Sequence, residues 1–390
     1  MNGRGLVQED ENSGYPLHQL YFYLTDECNL ACRHCWIAPG YLNATTATSF
    51  LPFDLFVSII REAQPLGLTG VKLTGGEPLL HPQIAEIVTF VRDEGLRLVV
   101  ETNGTLMTPE IARILASCKG AFVSVSLDGA DAATHEWVRG VPGSFAAACA
   151  GVGHLAAAGL RPQVIMTVMQ RNQDQLDAVV RLARSLGAGS VKFNLMQPTA
   201  RGETMHARGE ALTIEELVTL GRWVEDELAS RTDVRLIYGH PPAFRPLGRI
   251  FGSDGDGCGV CGVCGIHGIL GVIADGSYAL CGIGEIVPEM VFGHAGKDRL
   301  ADVWERTPVL NEIRERLPEG LTGVCRRCLM KGRCLGSCLA QNYYLSGDFW
   351  APFWFCEEAE RAGVFPETRL VHGAEKEGNR LKRPVLEHVE

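Results

Sequence analysis

The spacing of three cysteines near the start of the chain constrains its chemistry more than any other feature. Cys28, Cys32 and Cys35 are separated by three and by two residues. Iron–sulfur clusters are usually held by four cysteine thiolates. A set of three would hold a four-iron cluster by three corners and leave one iron open to an outside ligand. The alternatives are a chance grouping of cysteines or a zinc site, but motifs further along the chain favour the cluster.

Charge and cysteine usage narrow the class of protein. The 390 residues carry a formal net charge of −10, which argues against nucleic acid and anionic membranes as main partners. No apolar run approaches the roughly 20 residues of a membrane span, and the N-terminus lacks an apolar signal region, so we expect a cytoplasmic protein. Eleven of the fourteen cysteines fall within residues 28–35 and 258–338. Without an export signal, this clustering indicates metal binding and not disulfides.

Strand and helix patterns alternate through the first half of the chain. Apolar runs predict six strands, at residues 20–25, 69–74, 97–102, 121–127, 163–168 and 190–196. Helical spacing predicts helices at residues 53–64, 81–94, 109–118, 144–158, 173–186 and 213–231. Thr213 and Glu216 form a capping box at the start of the last helix. The repeats imply an α/β fold with a parallel sheet, but they do not separate an open barrel from a doubly wound sheet.

Four short motifs follow the ends of predicted strands. They are Gly75-Gly76-Glu77-Pro78, Glu101-Thr102-Asn103-Gly104, Ser124-Val125-Ser126-Leu127-Asp128-Gly129 and His135-x3-Arg139-Gly140. Glycines let the backbone approach a ligand closely, and the carboxylate of Glu77 could meet an ammonium group. A Gly-Gly-Glu-Pro sequence alone is more often a plain turn. Its place at a strand end, forty residues beyond Cys35, favours a functional role.

The cysteine trio and these motifs resemble the radical S-adenosylmethionine (SAM) enzymes. The resemblance implies a partial (β/α)6 barrel of the TIM type, with the reactive site at the carboxyl ends of the strands. It also implies that Cys28, Cys32 and Cys35 hold a [4Fe-4S] cluster whose open iron is chelated by the amino and carboxylate groups of SAM. An electron from the cluster would then cleave SAM to methionine and a 5′-deoxyadenosyl radical.

The same resemblance assigns contacts with SAM to residues at the strand ends. They are Gly75, Gly76 and Glu77 for the amino group, Asn103 near the cofactor, Ser126 for the ribose or carboxylate, Arg139 for the carboxylate and Leu195 for the adenine. Two of these assignments have simpler alternatives. Arg139 could be a solvated arginine at the start of a helix, and Leu195 could be an ordinary core residue.

A second cysteine series follows a stretch rich in proline and glycine. Its members are Cys258, Cys261, Cys264, Cys281, Cys325, Cys328, Cys334, Cys338 and Cys356. Apolar alternation over residues 269–273, a turn at 274–276 and a second run at 277–280 predict a β-hairpin within the series. The spacing C-x11-G-x4-C, then C-x2-C-x5-C-x3-C, then a last cysteine resembles the SPASM domain. Zinc ribbons share Cys-x2-Cys pairs but need four ligands for each metal, and they do not explain this series.

The SPASM resemblance implies two auxiliary [4Fe-4S] clusters, and therefore three clusters in all. It assigns four ligands to each auxiliary cluster: Cys258, Cys264, Cys281 and Cys338 to the first, and Cys325, Cys328, Cys334 and Cys356 to the second. Cys261 is ambiguous, because it could replace Cys258 as a ligand. Cys118 and Cys149 remain, and we expect them to behave as small buried hydrophobes.

The expected organisation has five parts. They are an N-terminal tail (1–15), the radical SAM partial barrel (16–232), a bridging segment (233–257), a small Cys-rich SPASM domain with the β-hairpin (258–360) and a C-terminal tail (361–390).

Within this family, the chain resembles the maturases that modify ribosomally made peptides. It implies abstraction of hydrogen from a precursor peptide, giving a thioether, carbon–carbon or ether cross-link or a related modification. The implied partners are the precursor peptide and a flavodoxin- or ferredoxin-type electron donor. Only about 15 residues precede the first strand, so we expect leader recognition to use the barrel, the bridging segment or another protein, and a separate leader-binding protein is one expected partner. Relatives that oxidise sulfatases place an aspartate where this chain has Gly282, which disfavours that reaction.

Two other functions stay open. The first is a radical SAM/SPASM enzyme that acts on a small molecule or a tetrapyrrole, although such members often have an incomplete auxiliary cysteine set. The second is a non-catalytic iron–sulfur scaffold for electron transfer, which would not need the Gly-Gly-Glu-Pro motif beside an incomplete cysteine trio.

Overall fold

The strands and helices belong to a computed structural model that describes residues 14–41, 49–251 and 264–371. The strands are β1 (Gln19–Tyr23), β2 (Glu27–Cys28), β3 (Gly40–Tyr41), β4 (Gly70–Thr74), β5 (Arg97–Thr102), β6 (Phe122–Ser126), β7 (Gln163–Val168), β8 (Ser190–Leu195), β9 (Arg235–Tyr238), β10 (Ile269–Val272), β11 (Ser277–Ala279) and β12 (Val291–His294).

Helices follow most of the strands of the first half and dominate the last part of the described chain. They are α1 (Phe53–Ala63), α2 (Ile84–Asp93), α3 (Pro109–Ala116), α4 (Ala132–Arg139), α5 (Ser144–Ala157), α6 (Leu176–Ser185), α7 (Arg201–Ala207), α8 (Ile214–Asp226), α9 (Leu247–Phe251), α10 (Leu300–Arg306), α11 (Pro308–Arg316), α12 (Gly323–Arg327), α13 (Lys331–Cys334), α14 (Leu339–Ser346) and α15 (Trp354–Arg361). Within the described ranges, no helix is long and apolar enough to cross a membrane.

One ten-stranded sheet organises the molecule. Its strand order is β12-β11-β10-β1-β4-β5-β6-β7-β8-β9. The eight strands from β10 to β9 run parallel, whereas β11 and β12 are antiparallel additions at one edge. The arrangement is a partial TIM-type barrel joined to the SPASM region, as the resemblance implied. The short strands β2 and β3 pair separately, and Cys28 ends β2.

The two faces of the sheet differ, and the alternation along β4 shows how. Val71 and Leu73 are completely buried in the hydrophobic core on the face that the helices cover. Lys72 and Thr74 point to the opposite face and are half-buried. Burying a valine or leucine side chain stabilises the fold by about 1.5–3 kcal/mol, so the outer face of the strands contributes to the free energy of folding through its apolar side chains. The inner face is left polar.

All six predicted strands are present, with ends within two residues of the prediction. Residues 233–257 were expected to form a bridging segment outside the barrel, but β9 lies within them and pairs in parallel with β8. The predicted hairpin is confirmed as β10 and β11, and β10 also pairs in parallel with β1. The bridging and SPASM segments therefore both contribute strands to the barrel sheet.

Candidate active site

The loop that carries the cysteine trio lies against the C-terminal end of α4. The backbone N–H groups of Ala31 and Arg33 donate hydrogen bonds to the carbonyl oxygens of Arg139 and Val138, each at 3.0 Å. The chain then leaves the helix through Gly140, whose φ is +75°. A Cβ at this glycine would lie 2.7 Å from the carbonyl oxygen of Ala31. The Arg-Gly pair at the end of α4 therefore fixes the position of the cysteine loop.

The thiols of the trio are crowded together and mostly buried. Cys28 and Cys32 are 6% and 8% exposed, and Cys35 is half-buried. Burial, followed by the negative charge of Glu77 and of Cys32, raises the pKa of Cys28 to about 12. Burial also raises the pKa of Cys32, although the guanidinium of Arg139 opposes it. Three soft sulfur donors that repel one another as thiolates fit a cationic iron–sulfur cluster, because the metal charge offsets the repulsion.

The glycines of the Gly-Gly-Glu-Pro motif are required by the cysteine loop. The N–H groups of Gly76 and Glu77 donate to the carbonyl oxygens of Thr25 and Glu27, each at 2.9 Å. A Cβ at Gly76 would overlap the carbonyl group of Glu27. Gly75 has a φ of +135°, which a residue with a side chain rarely adopts. The close approach that these glycines permit is therefore to the backbone beside Cys28.

The carboxylate of Glu77 is buried and accepts three hydrogen bonds from the protein. Its donors are the hydroxyl of Thr102 at 2.6 Å, the N–H of Asn103 at 2.7 Å and the N–H of Leu79 at 3.1 Å. Burial raises the pKa of Glu77 to about 7, although these donors oppose the shift. The side chain ties the end of β4 to the end of β5. Its contact with the amino group of SAM stays a prediction.

Asn103 connects this network to the cysteine trio. Its amide nitrogen donates to the side-chain oxygen of Asn29 at 2.7 Å and lies 3.8 Å from the sulfur of Cys28. Its amide oxygen accepts from the hydroxyl of Thr105 at 2.7 Å. The Thr-Asn-Gly turn therefore lies beside the trio, and the side chain of Asn103 orients the cysteine loop. Its position near SAM stays a prediction.

Arg139 joins the trio to a buried carboxylate. Its Nε lies 2.6 Å from Oδ2 of Asp128, which has no exposed surface. Its Nη1 donates to the sulfur of Cys32 at 3.4 Å. Burial lowers the pKa of Arg139, but Asp128 and the thiols outweigh that effect and hold it above its ordinary value. The alternative of a solvated arginine at a helix start is wrong, since Arg139 is 7% exposed at the end of α4.

Ser126 and Leu195 reach the same edge of the sheet by different strands. Ser126 ends β6 and is half-buried, and Leu195 ends β8 with 8% exposure within the hydrophobic core. Both lie at the carboxyl ends of parallel strands, where a barrel places its reactive site. Their contacts with SAM stay predictions.

Arg201 is a residue of the site that the sequence did not reveal. At the start of α7, its guanidinium donates to the carbonyl oxygens of Cys32 at 3.2 Å and Pro39 at 3.0 Å. Its own N–H donates to the carbonyl oxygen of Cys35 at 3.2 Å. No motif or periodicity marks this arginine, because its role depends on a contact with residues more than 160 positions earlier.

Cys264, Cys281 and Cys338 form the described part of the first auxiliary set. Burial and the negative charge of Cys338 raise the pKa of Cys281 to about 12. The pKa of Cys264 is raised further, by burial and by Cys338 and Cys281. The structure therefore brings these three thiols together. Cys258 and Cys261 lie outside the described residues, so the choice between them stays a prediction.

Gly282 follows this set and packs directly against Tyr23. A Cβ at Gly282 would overlap the ring of Tyr23, with the hydroxyl oxygen at 2.5 Å. The phenol of β1 therefore occupies the space beside Cys281 where a side chain at position 282 would begin. That sulfatase oxidation is disfavoured stays a prediction.

Cys325, Cys328, Cys334 and Cys356 form a second auxiliary set around a pocket. The four thiols line one small pocket together with Met330 and Phe365. A hydrogen bond to Cys325, together with burial, raises the pKa of Cys356 well above its ordinary value. Four thiols around a buried pocket fit an iron–sulfur cluster by their donor chemistry.

The chain reverses between the two auxiliary sets. Leu335, Gly336 and Ser337 all have positive φ, at 51°, 76° and 61°. Non-glycine residues in this region cost free energy and persist only where the surroundings hold them. The turn separates Cys334 from Cys338, so that each points to a different set.

The remaining described cysteines behave as expected. Cys118 is 4% exposed in the hydrophobic core, and Cys149 packs against the same core from a half-buried position. The twelve cysteines in the described ranges are all free of disulfides. In the same ranges, no three histidine, cysteine or acidic side chains are placed to hold a single metal ion.

Comparison with known proteins gives the family. The radical SAM superfamily model matches residues 22–183, and the model of the iron-sulfur cluster-binding SPASM domain matches residues 261–329. The chain is 31% identical over 332 residues to the AdoMet-dependent heme synthase of Methanosarcina barkeri (strain Fusaro / DSM 804), which covers 84% of this chain and 92% of that protein. The chain belongs to the radical SAM superfamily. Radical SAM proteins with a SPASM domain are enzymes that use SAM and iron–sulfur clusters.

Other relatives of this radical SAM enzyme carry different names. It is 30% identical over 331 residues to the mycofactocin maturase MftC of Mycobacterium ulcerans (strain Agy99), which covers 83% of this chain and 84% of that protein. Among solved structures, Streptococcus suis SuiB bound to S-adenosylmethionine matches with a TM-score of 0.67 and 17% identity, over 88% of this chain and 78% of that one. At this identity the match shows that the two share a fold.

Proposed function

We propose that this chain is a maturase that uses SAM and a reduced iron–sulfur cluster to modify a ribosomally made precursor peptide. The observation that most supports the proposal is the auxiliary cysteine series. Seven of its proposed ligands are described, and they fall into one set of three and one set of four. A full series of this kind is the pattern that the resemblance associates with peptide-modifying enzymes.

Relatives and neighbours support the same class of substrate. Four of the curated relatives are mycofactocin maturases, with 28% to 30% identity. SuiB has also been solved bound to its precursor peptide SuiA, and that structure matches this chain with a TM-score of 0.67. The electron donor would be a flavodoxin- or ferredoxin-type protein, a separate protein would bind the peptide leader, and the enzyme would act in the cytoplasm.

In the proposed enzyme three clusters are present. Cys28, Cys32 and Cys35 would hold the cluster that binds SAM, and the eight assigned cysteines of the second series would hold two auxiliary clusters. When bound, SAM and the reduced cluster supply a 5′-deoxyadenosyl radical that abstracts hydrogen from the substrate. The protein would position SAM and the substrate and would exclude water from the site.

The residues around the trio would provide that positioning. Asp128 holds Arg139 against the sulfur of Cys32, and Arg201 holds the backbone of the same loop. Glu77 ties the ends of β4 and β5 together beneath the proposed SAM site. The substrate would lie over the inner face of the barrel, which is lined by half-buried polar side chains.

A tetrapyrrole substrate is the second candidate, and one specific observation favours it. The three heme synthases among the relatives are 27% to 31% identical to this chain over 85% to 92% of their own length. Their name identifies a tetrapyrrole product. The two candidates share the radical chemistry and differ in the molecule that enters the barrel.

Isotope transfer distinguishes the two candidates. The anaerobically reconstituted enzyme is reduced and given SAM with either a peptide encoded by a neighbouring short reading frame or an iron porphyrin with propionate side chains, each deuterated. Deuterium found in 5′-deoxyadenosine with the peptide, and a mass change in the peptide, support the maturase. Transfer from the porphyrin alone would replace the first candidate with the second.

A further inference from the structure

The inner face of the partial barrel is unlike the interior of a closed one. Closed TIM barrels fill their interior with layers of branched apolar side chains. Here Tyr21, Lys72, Glu101, Ile165 and Lys192 all point inward and are half-buried. Their neighbours on each strand are buried on the opposite face, against the helices. The interior is therefore an accessible lumen whose lining is mainly polar.

Lys72 is held in this lumen by two neighbours. Its ammonium nitrogen lies 2.8 Å from Oε1 of Glu101 on the adjacent strand. It also lies 4.8 Å from the centre of the Tyr21 ring, a cation–π distance. Burial alone would raise the pKa of Glu101, but the charge of Lys72 outweighs it and holds that pKa below its ordinary value. Glu101 therefore stays ionised and fixes the direction of Lys72.

Lys192 projects into the same lumen from β8, a strand further along the sheet. It lies on β8, which is separated from β5 by two other strands. Its ammonium nevertheless interacts electrostatically with Glu101, Lys72 and Arg245. Side chains on such distant strands meet only across the interior of a curved sheet. Lys192 lies opposite Ile165 of β7, which also points inward. Lys72, Glu101 and Lys192 therefore project into the same lumen, within electrostatic range of one another.

The charges in the lumen do not balance. Glu101 is the one acidic residue at an inward position on β1 and β4–β9, where it faces two ammonium groups. In the described ranges Lys192 makes no hydrogen bond, and burial lowers its pKa. Arg245 does not change this count, because the charge of Glu225 acts on it and its guanidinium donates to the carbonyl oxygens of Tyr238 and His240. This excess of positive charge occurs in a chain whose net charge is −10.

We infer that Lys192 and Lys72 form a binding site for one carboxylate of the substrate inside the barrel. This inference rests on the proposed function, because it concerns the substrate of the same site. A carboxylate has about four lone-pair positions, so its two oxygens can accept from both ammonium groups. Two cations and one fixed anion leave a single positive charge, which one carboxylate neutralises. The substrate would thus be a peptide with a free carboxylate or a tetrapyrrole with propionate side chains.

The site lies on the side of the lumen that faces the first auxiliary set. Lys72 lies opposite Tyr21 of β1, and Tyr21 lies opposite Gly271 of β10. The backbone of Cys281 packs against Gly271, where a built Cβ would lie 2.8 Å from the Cα of Cys281. Lys72 and Lys192 each precede the last residue of their strand, by two and three positions, so they lie below the strand ends that carry the proposed SAM contacts. A carboxylate bound there would orient the substrate between SAM and the first auxiliary cluster.

The test compares acids with their neutral derivatives on the reconstituted enzyme with SAM. The probes are mesoporphyrin IX against its dimethyl ester, and an octapeptide library with free against amidated C-termini. Lys192→Met removes the charge, Lys192→Arg keeps it, and Lys119→Met changes an exposed lysine outside the lumen as a control. A tenfold change in affinity corresponds to about 1.4 kcal/mol, and a hydrogen bond between charged groups contributes at least this much. Lys192→Met should therefore weaken binding of the preferred acid at least about tenfold, with no effect on the ester or amide.

The outcomes distinguish a failure of the carboxylate site from a failure of the proposed function. Lys192→Arg should recover most of the affinity, and Lys119→Met should leave it unchanged. The preferred acid, porphyrin or peptide, identifies the source of the carboxylate. Equal binding of acids and neutral derivatives by the unmodified enzyme overturns the inference. So does a parallel loss of SAM binding in Lys192→Met, because Lys192 would then serve SAM. If no 5′-deoxyadenosine forms with any probe, the proposed function fails, while a preference for acids would still support the carboxylate site.

Discussion

Replacing Arg139 by methionine leaves the Asp128 carboxylate buried without a cation. The pair is separated by 2.6 Å, and Asp128 has no exposed surface, so water cannot screen the remaining charge. Removing one partner of a buried ion pair costs about 3–5 kcal/mol. With an unfolding slope of about 3 kcal/mol per molar urea, Arg139→Met should lower the urea midpoint by roughly 1 M or more. Anaerobic urea unfolding, followed by fluorescence, measures the shift.

A double-mutant cycle separates the charge effect from lost packing. Asp128→Asn combined with Arg139→Met removes both charges. The loss in free energy of unfolding of this double variant should be smaller than the sum of the two single losses by at least about 1 kcal/mol. The exposed pair of Asp177 and Arg181 on α6 provides the control. Arg181→Met should cost no more than about 0.5 kcal/mol. An unchanged midpoint for Arg139→Met, or additive effects in the cycle, would refute the assignment of this pair as a buried electrostatic support.

Three further changes test other parts of the site. Burial raises the pKa of Glu77 from 4.5 to about 7. Its contribution to the free energy of unfolding is therefore complete below pH 4.5 and is lost as pH rises through 7. Urea titrations over this range should show a fall on the order of 3 kcal/mol in the free energy of unfolding, and Glu77→Gln should remove that fall. Gly76→Ala should cost the protein about four irons, because a Cβ there overlaps the cysteine loop, whereas Gly153→Ala, with open space around it, should keep them. Cys261→Ala should keep about twelve irons, whereas Cys258→Ala should disturb one auxiliary cluster, as seen by iron analysis and electron paramagnetic resonance.

Features that depend on neighbouring residues were predictable from the sequence. The capping box of α8 is present, with Thr213 and Glu216 each bonded to the backbone of the other. The six strands of the first half were predicted because buried parallel strands leave a clear apolar pattern. The grouping of the auxiliary cysteines came from the resemblance to the SPASM domain, because spacing alone does not place Cys334 and Cys338 in different sets.

Features that depend on long-range pairing were not predictable. β9 has only four residues and a weak apolar pattern, and only its pairing with β8 identifies it as part of the barrel. Arg201 and Lys192 carry no motif, and their roles arise from residues on distant strands and loops. The glycines beside Glu77 were recognised, but their packing partner, the backbone near Cys28, could be found only in three dimensions.

The measurement that tests the account most directly is the iron content and SAM cleavage of a variant with Cys28, Cys32 and Cys35 all replaced by alanine. The unmodified enzyme should contain about twelve irons per chain, and the variant about eight, because both auxiliary sets remain. Formation of 5′-deoxyadenosine after reduction should be lost completely in the variant. Continued formation of 5′-deoxyadenosine, or an iron content that does not fall, would contradict the assignment of the trio as the SAM-binding cluster site.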